Sequence, residues 1–219
     1  MQILDKIARL ACANSLKTDI SDNRITFLLD YQNHQSISFY SDISFVIQKL
    51  YPGNNFLEIL DVGSRTGAGA NFLGQIFSTN SYSRIKSEVT ALDISEEFLE
   101  YSNSFNRYIK KYIVDDIANV KDIYDLVVCS HTIEHVPNPD EFIKNLCKLS
   151  RRHVIIACPF MEGKAIIHKD ASGLIEGHVN SIDYDFVDKY KPVYFDIYRS
   201  LVWHQSLACI FVIDVSTIG

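Results

Sequence analysis

Residues 57–67 read Leu57-Glu58-Ile59-Leu60-Asp61-Val62-Gly63-Ser64-Arg65-Thr66-Gly67: an apolar run that reaches an acidic residue and opens onto a glycine-spaced turn. A run of this kind is a parallel strand handing the chain to a helix N-terminus, where open α/β folds hold nucleotide-like ligands. Gly63 permits a tight turn or a close backbone approach, while Gly67 and Gly69 remove side chains where a ligand or the strand would collide. No GxxxxGK[ST] loop is present, which argues against an ATP- or GTP-driven motor.

Outward from this turn the chain alternates. Phe56–Asp61 is expected as strand one, followed by a helix to about Phe77. Val89–Asp93 is expected as strand two, with a helix starting over Ser95–Tyr101, and Lys111–Val114 as strand three. Tyr124–Cys129, the helix Pro139–Leu149 and His153–Ala157, stopped by Pro159, continue the rhythm. Val193–Arg199 and Leu207–Val215 add two late strands able to pair antiparallel across a short connection containing Trp203, after a helix over Ile182–Tyr190. Short apolar strands separated by helices predict a Rossmann-like α/β fold, a mostly parallel seven-stranded sheet flanked by helices with the last strand antiparallel.

Before the turn, residues 3–17 carry a helical stripe, and residues 42–50 suggest a short helix with Asp42 as N-cap and Pro52-Gly53 as its stop. Residues 25–31 and 37–40 stay ambiguous. One domain over 1–219 is expected, with a helical cap or outer layer over 1–54 and a ligand-binding core over 55–160. Residues 160–219 then supply an irregular loop, containing His168, Gly173, Gly177 and His178, and the late strands.

The net charge is −6 with Lys and Arg scattered, so no basic stripe offers itself to nucleic acid and no polybasic patch to a membrane. The N-terminal run carries Asp5, Lys6 and Arg9, and nowhere do about 18 apolar residues run together; a cytoplasmic protein is expected. Cys12, Cys129, Cys147, Cys158 and Cys209 form no CxxC pair and read as buried small hydrophobes. The oligomeric expectation is a monomer or a homodimer, with no surface selected.

Asp61 falls beneath the turn, where it can hold loop donors or meet a cationic ligand group. Asp93 ends strand two, where a carboxylate can accept from both hydroxyls of a ribose. Of the pair ending strand three, Asp116, followed by Ile117, is preferred as acceptor for an adenine amine, with helix capping a near-equal alternative. Strand four runs into Cys129-Ser130-His131-Thr132-Ile133-Glu134-His135-Val136-Pro137-Asn138-Pro139. His131 and His135 would align on a helical turn beside Glu134, a spacing compatible with a divalent metal if His178 folds in. General-base or substrate contact and a plain structural role stay open beside it.

Taken together, the strand-one carboxylate, the glycine turn, Asp93 and the 115–116 acid resemble the class I S-adenosylmethionine-dependent methyltransferases over about residues 55–160. The stretch from Tyr124 to Pro139 is similar to their small-molecule branch, the ubiquinone-biosynthesis O-methyltransferase type, whose EHV-x-x-P pattern is matched by Glu134, His135, Val136 and Pro139. The resemblance implies S-adenosylmethionine as cofactor, with Asp61 and the turn residues Gly63, Ser64, Arg65 and Gly67 around its methionine part. It sets Asp93-Ile94 at its ribose, Asp116-Ile117 at its adenine, and Ser130 and His131 along the route to the acceptor. It also hands a metal role to Glu134, His135 and His178, and an acceptor-loop role to Glu162, Gly163 and His178. Arg65 departs from the pattern, since the family's usual second glycine stands there; the departure restricts the loop's backbone or sets a cation beside the cofactor or an anionic substrate.

The function so implied is methyl transfer to oxygen or nitrogen of a small metabolite or sugar-like precursor, with His131, His135 or His178 taking the acceptor's proton. An NAD-dependent oxidoreductase is the rival enzyme, weakened by Arg65 and by the lack of a Tyr-x-x-x-Lys pattern. A non-catalytic binding or partner protein that keeps the same fold is the rival from another class.

Overall fold

The computed structural model describes residues 33–162, 168–169, 175–199 and 207–217. The expected helix over 3–17, the segment 25–31, and Gly163, Gly173 and Trp203 lie outside them.

Helix α1 spans Asn33–Leu50 and replaces the expected short helix, so Asp42 sits inside it and is no N-cap. Its inward face is Phe39, Tyr40, Ile43, Val46 and Ile47, a three-to-four-residue recurrence that buries one stripe. Pro52 then bars its continuation. The alternation follows as β1 (Asn55–Val62), α2 (Ala68–Ile76), β2 (Ile85–Asp93), α3 (Leu99–Phe105), β3 (Ile109–Val114), β4 (Tyr124–Ser130), α4 (Pro139–Lys148) and β5 (Ser150–Phe160). Two-residue strands β6 (His168–Lys169) and β7 (Ile175–Glu176) pair with each other, and α5 (Tyr184–Asp188), β8 (Tyr194–Tyr198) and β9 (Leu207–Asp214) follow, with a 3₁₀ turn over Val215–Thr217 after them. Asn138 caps α4 by accepting from Glu141 N at 3.1 Å, with Pro139 in the first turn, where its missing N–H costs nothing.

The seven main strands lie in the order β3-β2-β1-β4-β5-β9-β8. The first five run parallel, and β9 runs antiparallel to both β5 and β8. This is the expected Rossmann-like seven-stranded sheet with an antiparallel strand. Side chains alternate between its faces: Leu57 and Ile59 of β1 join the layer under α1 and α2, and Leu60 and Val62 join the layer containing Ile143 and Leu146 of α4. Asp61 points to the α1 side by the same alternation.

Pro159 does not end strand five, which runs on to Phe160 opposite β9. The Ala157 carbonyl accepts His131 N at 2.8 Å and so faces β4, and residue 159 faces the same way. β4 has already left the ladder at Ser130, so the missing proline N–H removes no ladder bond.

The strand order reverses at β1, whose neighbours β2 and β4 lead to opposite halves of the sheet. The crevice beyond the C-terminal ends of β1 and β4 is where such a sheet places its ligands.

Candidate active site

The turn after β1 is tied to β2 by Gly63 N and Ser64 N, both donating to the Leu92 carbonyl at 2.9 and 3.1 Å. Gly63, Arg65 and Gly67 all have positive φ, at 75°, 46° and 76°. At residue 65 the left-handed backbone costs a side chain roughly 1–2 kcal/mol relative to glycine. A Cβ on Gly63 would lie 2.1 Å from Thr132 Oγ1, and one on Gly69 2.3 Å from the Tyr40 ring, so protein packing already demands them.

Asp61 is fully buried. It accepts from the Tyr40 hydroxyl and, at 2.6 Å, from Ser64 Oγ, so it holds two side-chain hydroxyls rather than loop N–H groups. Burial pushes its pKa up to about 6, against the opposing pull of those hydrogen bonds.

Asp93 accepts Arg65 N at 2.7 Å on one oxygen and Ser95 N at 3.0 Å on the other. It shares a cavity of about 900 Å³ with Ile94, Asp116, Ile117, His131 and His135. Asp116 realises the capping alternative by accepting Ala118 N at 2.8 Å, while also lining that cavity. A smaller space of about 70 Å³, bounded by Phe39, Tyr40, Ser64 and Ser130, adjoins it. Gly63, Arg65 and His131 line both.

The histidine segment is not one helical turn. His131 takes φ 51° at the end of β4, and a 3₁₀ turn starts only at Ile133. The His131 ring stacks on Phe39, centroids 3.5 Å apart and planes 11° from parallel, with Nδ1 3.1 Å from Ser130 Oγ. Burial first, then the nearby His178 and His135, pull its pKa down to about 3, which keeps it neutral at ordinary pH.

Glu134, His135 and His178 come together instead, each offering a ligand atom within 4.8 Å of the others. His135 Nδ1 lies 2.9 Å from the Gly177 carbonyl; a carbonyl only accepts, so Nδ1 carries the proton and Nε2 keeps its lone pair. His178 Nδ1 contacts Glu162, and the two imidazole centroids are 4.9 Å apart. Glu134 is 1% exposed, and neither carboxylate oxygen has a hydrogen-bond partner among the described residues. Burial lifts its pKa to about 8. A buried carboxylate without donors, facing two imidazoles, has the ligand chemistry of a divalent-metal site.

Several residues that shape the site were not read from the sequence. Phe39 and Tyr40 come from α1. Asn33 accepts from Thr66 Oγ1 at 2.8 Å, Asn106 Nδ2 donates to the Thr66 carbonyl at 2.6 Å, and the Tyr112 hydroxyl donates to the Arg65 carbonyl at 2.5 Å. The apolar recurrence 39, 40, 43, 46, 47 was the available signal for α1; the asparagines and Tyr112 left none.

Residues 60–158 match a family model described as a methyltransferase domain. Ubiquinone biosynthesis O-methyltransferases of Rickettsia bellii and Proteus mirabilis are 36% identical over 111 residues and 30% over 99, covering 48% and 42% of this chain. These matches span 44% and 37% of the relatives, so the chain covers less than half the length of the curated proteins it resembles. The plantazolicin methyltransferase, solved with a monoazolic desmethylPZN analog and SAH, superposes with a TM-score of 0.60 at 17% identity over 98% of this chain and 99% of that one. Magnesium protoporphyrin IX methyltransferase from Synechocystis PCC 6803, with bound SAH, gives 0.57 at 16% identity over 83% of each chain. The chain has the class I S-adenosylmethionine-dependent methyltransferase fold.

Proposed function

We propose that this chain is an S-adenosylmethionine-dependent methyltransferase acting on oxygen or nitrogen of a small metabolite or sugar-like precursor. One observation carries the reading: Asp93, Asp116 and the positive-φ turn, brought to the C-terminal edge of the sheet by three different strands, face a single cavity of about 900 Å³. That space suits a nucleoside with an amino-acid tail. Asp93 would accept from the ribose, the oxygen of Asp116 not used in capping from the adenine amine, and Ile94 and Ile117 would flank the base.

When bound, S-adenosylmethionine supplies a methyl group on a sulfonium, already activated for in-line attack. The chain then has to orient an acceptor, exclude water and remove a proton. His135 keeps its Nε2 lone pair because Gly177 fixes the tautomer, and Glu162 orients His178, so these two are the bases we assign. His131, neutral and stacked on Phe39, forms the wall between the two spaces. A divalent metal at Glu134, His135 and His178 is a second use of the same cluster, in which the ion would hold the acceptor oxygen and lower its pKa.

The same reading puts the chain in the cytoplasm as a monomer or homodimer with a small-molecule acceptor and no nucleic-acid or membrane partner. The net charge of −6 weighs against a nucleic-acid partner, and no described helix is long and apolar enough to cross a membrane. Titration calorimetry with S-adenosylmethionine, S-adenosylhomocysteine and NAD tests it. Binding of the first two, with methyl transfer to a panel of phenols and amines, is expected; binding of NAD alone overturns it.

A further inference from the structure

Arg65 occupies the position where the turn needs positive φ, and its backbone is held on both sides: its N–H by Asp93 and its carbonyl by Tyr112. The side chain is exposed and borders both the large cavity and the small one. Its guanidinium lies over the Phe98 ring, 5.8 Å from the centroid, and forms no ion pair among the described residues. The other charged residues bordering the large cavity are Asp93, Asp115, Asp116 and Glu141, all acidic, so Arg65 is the permanent cation among the described lining residues.

We propose that Arg65 is the anion receptor of this cleft, binding a carboxylate of the ligand and favouring acidic ligands over their neutral counterparts. The inference rests on the methyltransferase reading. A guanidinium offers a planar fork of donors that matches a carboxylate bidentately, and the aromatic face beneath it holds the fork without consuming those donors. Among the described lining residues the permanent charges other than Arg65 are acidic, so a ligand carboxylate in this cavity meets attraction at Arg65 and repulsion from the others. That carboxylate has two sources, the amino-acid end of the cofactor or an acidic group on the acceptor, and the recognition chemistry is the same for both.

The two sources separate by calorimetry on wild type, Arg65→Gln and Arg65→Lys, with Arg65→Gly as a variant that relieves the left-handed backbone and so keeps folding out of question. The probes are S-adenosylhomocysteine and 5′-methylthioadenosine, which shares the nucleoside and thioether but lacks the amino-acid end. If the cofactor supplies the carboxylate, Arg65→Gln and Arg65→Gly weaken S-adenosylhomocysteine at least tenfold, Arg65→Lys less, and methylthioadenosine binding stays within about twofold. If the acceptor supplies it, S-adenosylhomocysteine binding is unchanged, but the loaded wild type prefers benzoate to benzamide and Arg65→Gln loses that preference. Unchanged affinities with an unchanged benzoate preference overturn the proposal, as does tighter S-adenosylhomocysteine binding by Arg65→Gly, which would mean that the guanidinium sits in the ligand's place. Failure of wild type to bind either nucleoside removes the methyltransferase reading itself, an outcome distinct from a silent Arg65 substitution.

Discussion

The Tyr40 hydroxyl, carried by the helix before the sheet, donates to Asp61, a carboxylate with no exposed surface at the end of β1. The pair closes the floor of the glycine turn, and it makes the turn's stability depend on pH. Burial raises the Asp61 pKa to about 6 in the folded chain, against about 3.9 unfolded. The folded state then holds the proton more tightly, so this contribution is fully present below about pH 4 and is lost as pH rises through 6. Urea unfolding of wild type and Asp61→Asn at pH 4.5 and 7 should show the variant gaining about 2 kcal/mol on wild type as pH rises. Parallel stabilities at the two pH values would rule this out.

Gly74 is a packing requirement of a stiffer kind. A Cβ there would lie 2.2 Å from the Tyr108 carbonyl oxygen, a backbone atom that cannot swing aside. Gly74→Ala should cost about 2 kcal/mol of stability. At Gly53 the nearest atom would be 3.8 Å away, so Gly53→Ala is expected to be close to neutral. Thermal melts of the two variants give the comparison, and equal shifts would contradict it.

Asp93 is expected to act twice, on the turn and on the ligand. Asp93→Ala releases Arg65 N and Ser95 N and removes the ribose acceptor, so S-adenosylhomocysteine affinity should fall about a hundredfold. Asp93→Asn keeps one acceptor oxygen and should lose about tenfold less. Calorimetric affinities of the two variants decide the matter; an alanine variant that binds like wild type would remove Asp93 from the site.

Metal binding at the Glu134 cluster should release a proton. With its pKa lifted to about 8, Glu134 is mostly protonated at pH 7, and a ligand carboxylate has to be ionised. Titration of Mn²⁺ or Zn²⁺ at pH 7 in buffers of different ionisation enthalpy should report close to one proton released per ion. Affinity should rise as pH approaches 8. Glu134→Gln should abolish the release and weaken binding at least tenfold. An enthalpy independent of buffer, with affinity retained in the variant, would exclude this carboxylate as a ligand.

The sheet was legible because its strands are short apolar runs ended by acids and glycines, and Asp93 and Asp116 could be placed at its edge by counting from those ends. Strand boundaries were less so: β5 continues through Pro159 because its neighbour has already departed, a fact about β4 that no local pattern holds. The metal-ligand group was partly visible. Spacing suggested that His131 and His135 would align, but a left-handed backbone at His131 turns that ring onto Phe39 and leaves His135 to meet Glu134 and His178. Contacts such as Asn106 with Thr66 join residues 40 positions apart and depend on how helix and turn dock, so sequence periodicity could not supply them.

Helix α1 touches the turn through Asn33, the His131 wall through Phe39 and the buried acid through Tyr40. Any ligand that favours the turn in its present shape must therefore favour the docked helix as well, by the same free energy and in both directions. Saturating the cleft should slow amide exchange along Asn33–Leu50 as a unit, and substitutions on the inward face of that helix should appear as losses of ligand affinity although none of its residues lines the large cavity.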